Sequence, residues 1–358
     1  MTEPRESKQA DSAATAPRWR RPVLLVGKIL LVVGGLWLAV QALRQVDWAQ
    51  VGDALGRLTW WEIVVVAAIV AVRQTVNSST LVILLPGLRL RQALTTALSG
   101  TLVQTFTPPP ADAVLRLSIL RSYGVETSRG AAALVLDTLV FYLARFVAPV
   151  IGLVLAVIAL PVMPIQVWMA IGGAAAAAAL VGALVVISRG ERAAGGFGRT
   201  AAMVVRRLRP SIDPEGWSAA VVRFQQQSAA GLFRKIGRAT PTMIGFIVVD
   251  GIVLVTCLRF VGVPGSQIGY LAVLAGLLSL YPLTIFPFAG LGVLDAALIV
   301  LINAEGVADP ADLIAAMVIW RTATILLPLL PGLVAISTWR RQARRSGGSE
   351  DVRPMPRK

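Results

Sequence analysis

The chain has 358 residues, 56% hydrophobic and 15% charged, with 34 Lys and Arg against 19 Asp and Glu. A mean hydropathy of +0.72 excludes an ordinary soluble domain and points to a polytopic membrane protein. One cysteine, Cys257, excludes an intramolecular disulfide framework, and without histidine there is neither a histidine-ligated metal site nor a Ser/His/Asp triad.

The net charge of +15 is placed for a membrane surface rather than for nucleic acid. Arg189 to Arg238 holds ten Lys or Arg against three acids, and Arg340 to Lys358 holds seven against two. Both stretches flank apolar runs, which marks them as cytoplasmic and as contacts for anionic phospholipid headgroups. The reading is therefore an all-α inner-membrane protein with both termini cytoplasmic and membrane lipids as its partners.

Residues 1–21 read as a disordered tail whose "RWRR" (Arg18 to Arg21) holds the N-terminus inside. A first span, Val23 to Leu43, reads as an uncleaved anchor that leads out to a loop with Arg44, Asp47, Asp53 and Arg57. A second span, Trp60 to Leu85, returns inside to Arg89 and Arg91, with Trp60 and Trp61 as interfacial anchors. Arg73, Gln74 and Asn77 share one of its faces, for inward polar packing or for lipid contact. Next come two short helical runs, Gln92 to Phe106 and Ala111 to Tyr123, parted by Pro108, Pro109 and Pro110. The second run would span only about 21 Å while carrying Asp112, Arg116 and Arg121. A re-entrant hairpin from the cytoplasm fits better, provided protein or a wet cavity surrounds it.

A long span from Arg129 to about Leu160, with Pro149 as a kink point, leads out, and Gln166 to Ile187 returns. The run "GGAAAAAA" from Gly172 suits close helix approach. In the basic linker 189–238, Trp217, Val221, Phe224, Leu232 and Ile236 recur at near-helical spacing, as in a helix lying on the inner leaflet or packed on the protein. Pro241 to Val261 then leads out, a second hairpin breaks between Pro282 and Gly292, and Leu313 to Trp339 returns to the basic tail 340–358.

The expected fold has about six full spans plus two re-entrant helical hairpins. Gly124, Val125 and Pro149 match Gly306, Val307 and Pro331 at one offset, which divides the membrane domain (22–339) into repeats at about 60–160 and 241–338. Loop charges orient the repeats oppositely, the pattern of a transporter whose pathway lies between its halves. With no phosphate-binding GxxxxGK[ST] loop, ATP is not the direct drive.

Asp112 and Arg116 lie four apart on one helical face and can pair, either as an ion pair that pins the hairpin or as part of a lipid site. Buried charges are costly unless paired or wet, so they mark a polar cavity where Arg116 and Arg121 attract a lipid phosphate. Asp137 and Arg321 occupy nearly equivalent places, either pairing across the pseudo-symmetry axis or lining the cavity from both sides. Asp295 would face a cationic or amine headgroup. Arg145, Asp250 and Arg259 read as structural pairs or interface residues, and Lys28 as a snorkelling side chain.

In order along the chain, "LRQVDW", "ADAVLRLSILRSYGV", "AALVLDTL", "FPFAGLGVLDAALIVLINAEGV" and "IWRTATILLPLLPGL" resemble the flippase-like transmembrane region of lysylphosphatidylglycerol synthases, from about Val40 to Ser337. The family's first hairpin has a Pro-Gly turn and Gly-Gly-Asp, where this chain has Pro109, Pro110 and Ala111 before Asp112. The family's Asp-Arg pair in the following span is here Asp137 and Thr138. The chain ends about twenty residues after its last span, without room for the synthases' aminoacyl transferase domain. The resemblance implies lipid translocation without lipid modification, hence no enzyme activity and no cofactor. A membrane glycosyl or lipid transferase and an accessory subunit of a cell-envelope complex are the alternatives, and a homodimer or envelope-complex partner stays open.

Overall fold

Loss of water as a hydrogen-bonding partner forces a membrane chain into helices, and the structure, a computed structural model, is helical throughout its described residues. These are residue 56 and residues 59–107, 110–159, 161–206, 212–228 and 231–347. The predicted first span with Lys28, the loop from Arg44 to Arg57, and Pro108 and Pro109 lie outside them.

Helix α1 (Trp60–Leu84) opens where the Glu62 carboxylate accepts a 2.7 Å hydrogen bond from the Thr59 amide, covering an otherwise unpaired donor. Trp60 and Trp61 stand exposed at this end, as interfacial anchors do. After a turn at Gly87, whose φ of 99° suits glycine, come α2 (Leu90–Phe106) and α3 (Ala111–Ser122), packed on each other. With 17 and 12 residues they reach about 25 and 18 Å, short of the roughly 30 Å hydrocarbon layer.

Helix α4 (Thr127–Ala159) runs 33 residues with Pro149 inside it, and α5 (Pro164–Ser188) packs beside it. At Gly173 an added Cβ would lie 2.5 Å from the Phe146 carbonyl, so the small-residue run does permit the close approach expected of it. Gly172 meets nothing within 4 Å, so only one of the two adjacent glycines serves that contact.

The basic linker differs from the single surface helix that the spacing suggested. It forms two helices, α6 (Glu191–Arg206) and α7 (Pro214–Ser228), which lie against each other. Gly198 approaches the Trp217 carbonyl, Ser218 Oγ donates to the Gly195 carbonyl at 3.0 Å, and Arg199 pairs with Glu215 at 3.0 Å. Leu232 and Ile236 belong instead to α8 (Leu232–Val261) and are buried in the core. The apolar periodicity crossed a helix boundary at Gly231, where φ is 76°.

Helix α9 (Tyr270–Leu280) is followed by a 3₁₀ turn (Tyr281–Ile285), a helical turn at Pro287–Gly290, and α10 (Val293–Ile302). The break falls where the sequence placed it, between Pro282 and Gly292. Every residue from Ala272 to Leu280 is buried. Gly152 of α4 is the contact point, because an added Cβ would sit 2.4 Å from the Ser279 amide nitrogen. Finally α11 (Pro310–Arg321) passes through a π-helical turn (Thr322–Leu326) into α12 (Leu329–Gly347). Pro328 cannot donate a hydrogen bond and crowds the carbonyl four residues back, and the turn widens immediately before it.

Among the described residues, five segments are long and apolar enough to cross a membrane: Trp60–Leu84, Thr127–Ala159, Pro164–Ser188, Leu232–Val261 and Pro310–Gln342. The protein is an all-α polytopic membrane protein. Two stretches share one order of elements: a long helix (α1 or α8), a short helical pair (α2–α3 or α9–α10), then another long helix (α4 or α11). Helices α1 and α8 pack directly on each other and join the two sets.

Candidate functional site

Three Arg–Asp pairs hold these elements together. Arg73 Nε meets Asp250 Oδ1 at 2.7 Å and bridges α1 to α8. Arg73 is about 20 Å along α1 from Trp60 and about 16 Å from Leu84, close to the helix midpoint. Arg116 Nη2 meets Asp137 Oδ2 at 2.6 Å and clamps α3 to α4. Arg321 Nε meets Asp295 Oδ1 at 2.7 Å and clamps α11 to α10. Each arginine of one set stands opposite an aspartate of the other at offsets of about 180 residues, and vice versa.

These partners correct two of the expected pairings. Arg116 does not pair with Asp112, because its aliphatic stem lies across Gly100, where a Cβ would be 2.7 Å from Arg116 Cδ. The guanidinium is thereby carried to Asp137. Asp112 remains half-buried on the first turn of α3 without an ion pair among the described residues, and Arg121 is exposed at the end of that helix. Asp137 and Arg321 do not pair with each other either, since each is taken by the opposite charge on its neighbouring short helix. Both Asp295 oxygens have a partner: Oδ1 holds Arg321 and Oδ2 accepts the Gly292 amide at 2.8 Å.

A cavity of about 990 Å³ opens between α1, α2, α8, the second hairpin's break and the π turn. Arg73, Gln74 and Asn77 line it from α1, Thr105 and Gln104 from α2, and Arg321 and Thr324 from the last span. The polar face of α1 thus points inward. Of the six residues singled out in sequence, only Arg321 lines this space, with Asp295 behind it. Arg116, Asp137, Asp112 and Arg121 do not line it.

The two arginines are held alike. Arg73 lies over the Phe246 ring at 4.2 Å and Arg321 over the Trp320 ring at 4.4 Å. The Asp250 carboxylate also accepts the Trp320 indole N–H at 3.3 Å, so one acid braces both sides of the cavity. Arg321 Nη1 donates to the Ala289 carbonyl at 3.2 Å, but Nη2 is buried with no acceptor among the described residues. Arg73 Nε, although 2.7 Å from Asp250 Oδ1, is likewise buried without an aligned hydrogen bond among the described residues, so that bridge is an ion contact.

A second, apolar groove of about 540 Å³ adjoins the cavity and shares Thr322 and Leu326 with it. Ile63 and Val66 of α1 face Ile319, Leu327 and Leu330 across it.

Arg145 and Arg259 act elsewhere. Arg145 is buried on α4 against Phe141, with Tyr142 and Tyr281 nearby, and has no ion pair among the described residues. Arg259 donates to the Val263 and Ile268 carbonyls and fixes the turn after α8. No cluster of three metal-ligating side chains occurs among the described residues.

Sequence reasoning named Arg73 and Asp250 but did not join them. Their signal was present: Arg73 and Asn77 lie one turn apart beside Gln74, on a helix otherwise apolar through its centre. No curated protein matches this chain. The motifs, the all-helical membrane fold and a family-model match over residues 25–332 agree, and the chain belongs to the family described as the lysylphosphatidylglycerol synthase TM region.

Proposed function

We propose that the protein moves a lipid between membrane leaflets, with the headgroup crossing through the cavity between the two broken hairpins. The supporting observation is the 990 Å³ space at the level of Arg73, lined by polar and charged side chains among apolar helices. Its volume is at the upper end of ordinary ligand sites, about 300–1,000 Å³. Charged side chains at that depth are expensive unless paired or wet, and both conditions hold around Arg73 and Arg321.

The short helical pairs act as two re-entrant hairpins of an inverted repeat, entering from opposite faces. The charge-reversed pairs Arg116–Asp137 and Asp295–Arg321 fix each hairpin to the span after it. Arg73–Asp250 joins the halves. The site carries no covalent chemistry in this reading; it supplies a polar path while acyl chains stay in hydrocarbon. The protein lies in a bacterial inner membrane with its basic termini cytoplasmic.

The test is reconstitution into liposomes with chain-labelled phospholipids and a quencher confined to the outer leaflet. The wild-type chain is expected to move label inward faster than protein-free vesicles. Gln104→Trp, which fills the cavity without touching an ion pair, is expected to slow the exchange at least tenfold at equal incorporation. Equal rates for wild type, Gln104→Trp and empty vesicles would remove the translocator reading.

A further inference from the structure

We propose that the cavity selects lipids with an anionic, phosphate-bearing headgroup and disfavours cationic ones, with Arg73 and Arg321 as the selecting residues. The proposal rests on the translocator reading and adds the class of lipid. Among the described residues, the charged side chains lining the cavity are Arg73 and Arg321. Asp250 and Asp295 are each ion-paired to one of these arginines. Asp250 Oδ1 takes Arg73 at 2.7 Å and Trp320 at 3.3 Å, while Asp295 takes Arg321 with one oxygen and the Gly292 amide with the other. An amine entering this space meets two guanidinia, and each nearby carboxylate is already ion-paired to one of them.

A phosphate finds the converse. Each aspartate meets its arginine at Nε; Arg321 Nη2 is buried with no acceptor among the described residues, and Arg73 Nε is buried with no aligned hydrogen bond beyond its ion contact with Asp250. Stacking on Phe246 and Trp320 fixes the guanidinium planes, so these donors are directed rather than mobile. Such N–H groups bind phosphate oxygens in charge-assisted fashion, and a doubly charged pair of forks is a better host for an anion than for a neutral group. Asn77, Gln104, Thr105 and Thr324 add neutral donors and acceptors suited to the hydroxyls of a glycerol or sugar.

The occupant is a lipid rather than a soluble phosphate because the space continues into an apolar groove. Thr322 and Leu326 belong to both walls, and beyond them Ile63, Val66, Ile319, Leu327 and Leu330 offer a seat for acyl chain. An amphiphile with its phosphate at Arg321 and its tail along this groove satisfies both surfaces at once.

The experiment uses the full chain in phosphatidylcholine liposomes with three probes labelled identically on the chain: phosphatidylglycerol, phosphatidylcholine and a trimethylammonium diacyl lipid. Phosphatidylglycerol is expected to cross at least tenfold faster than the cationic probe. The paired variant Arg73→Gln/Asp250→Asn removes both charges of one bridge together and is expected to reduce that preference to less than threefold at unchanged incorporation. Equal or faster transfer of the cationic probe by the wild type overturns the inference while leaving the translocator reading intact, as does a preference that survives the paired variant. If no probe crosses, the translocator reading fails and retention decides the inference: native mass spectrometry from detergent should show phosphatidylglycerol retained over the cationic lipid. No such difference overturns it. Displacement of bound phosphatidylglycerol by millimolar glycerol 3-phosphate would overturn the assignment to a lipid.

Discussion

Neutralising Asp295 while keeping its shape tests how the second hairpin is held. Its pair with Arg321 is 2.7 Å long, with side-chain exposures of 15% for Asp295 and 9% for Arg321. Removing one partner of a pair this buried costs about 3–5 kcal/mol, because the survivor stays charged and out of water. The adjoining cavity can wet Arg321, so Asp295→Asn should fall near about 3 kcal/mol. The amide oxygen of Asn can still accept the Gly292 N–H, which keeps the start of α10 capped. At about 2–3 °C per kcal/mol, the midpoint of a tryptophan-fluorescence melt in detergent should drop by about 6–9 °C. Combining it with Arg321→Met removes the stranded charge, and the double variant should recover at least about 2 kcal/mol relative to the sum of the singles. A single-variant drop below about 2 °C, the level of an exposed pair, or strictly additive effects would refute the pairing as a structural clamp.

The crossing of α4 and α9 predicts a contrast between two glycines. Gly152→Ala places a methyl 2.4 Å from the Ser279 nitrogen and should destabilise the protein by about 1–3 kcal/mol, whereas Gly172→Ala meets nothing and should be neutral or stabilising, both read by thermal melt. An inverted arrangement predicts that the two loops after the hairpins face opposite sides. Single cysteines at Glu126 and Glu305, both exposed, should label with an impermeant maleimide from opposite faces of oriented vesicles, the native Cys257 staying silent because it is buried; labelling from one face would end the inverted repeat.

Helix placement was legible where proline and glycine punctuate the chain. Gln92–Phe106 and Ala111–Tyr123 were expected, and Leu90–Phe106 and Ala111–Ser122 are observed, because three consecutive prolines leave little freedom about where the first helix stops. The same holds for the break from Pro282 to Gly292. The boundary at Gly231 was hidden because apolar spacing continued through it, joining residues of α7 and α8 into one apparent face.

Charge partners were less legible than charged residues. Scarcity marked Arg116, Asp137, Asp295 and Arg321 as needing neighbours, and all four have them. Which neighbour depends on details that spacing does not carry, such as the missing Cβ at Gly100 that lets the Arg116 stem pass toward α4. Intrahelical spacing favoured Asp112 for Arg116, but contacts between helices decided the outcome. Arg73 was read as ambiguous because one helix cannot show what faces it, and its partner Asp250 lies 177 positions away in sequence.

The most direct test of a water-filled, arginine-lined passage is thiol reactivity at Asn77, a cavity-lining position about 10 Å from the Leu84 end of α1. With Asn77→Cys in liposomes, both an anionic and a cationic methanethiosulfonate reagent should react from the aqueous phase, the anionic one at least severalfold faster because of Arg73 and Arg321. No reaction with either reagent, or faster reaction with the cationic one, would contradict it.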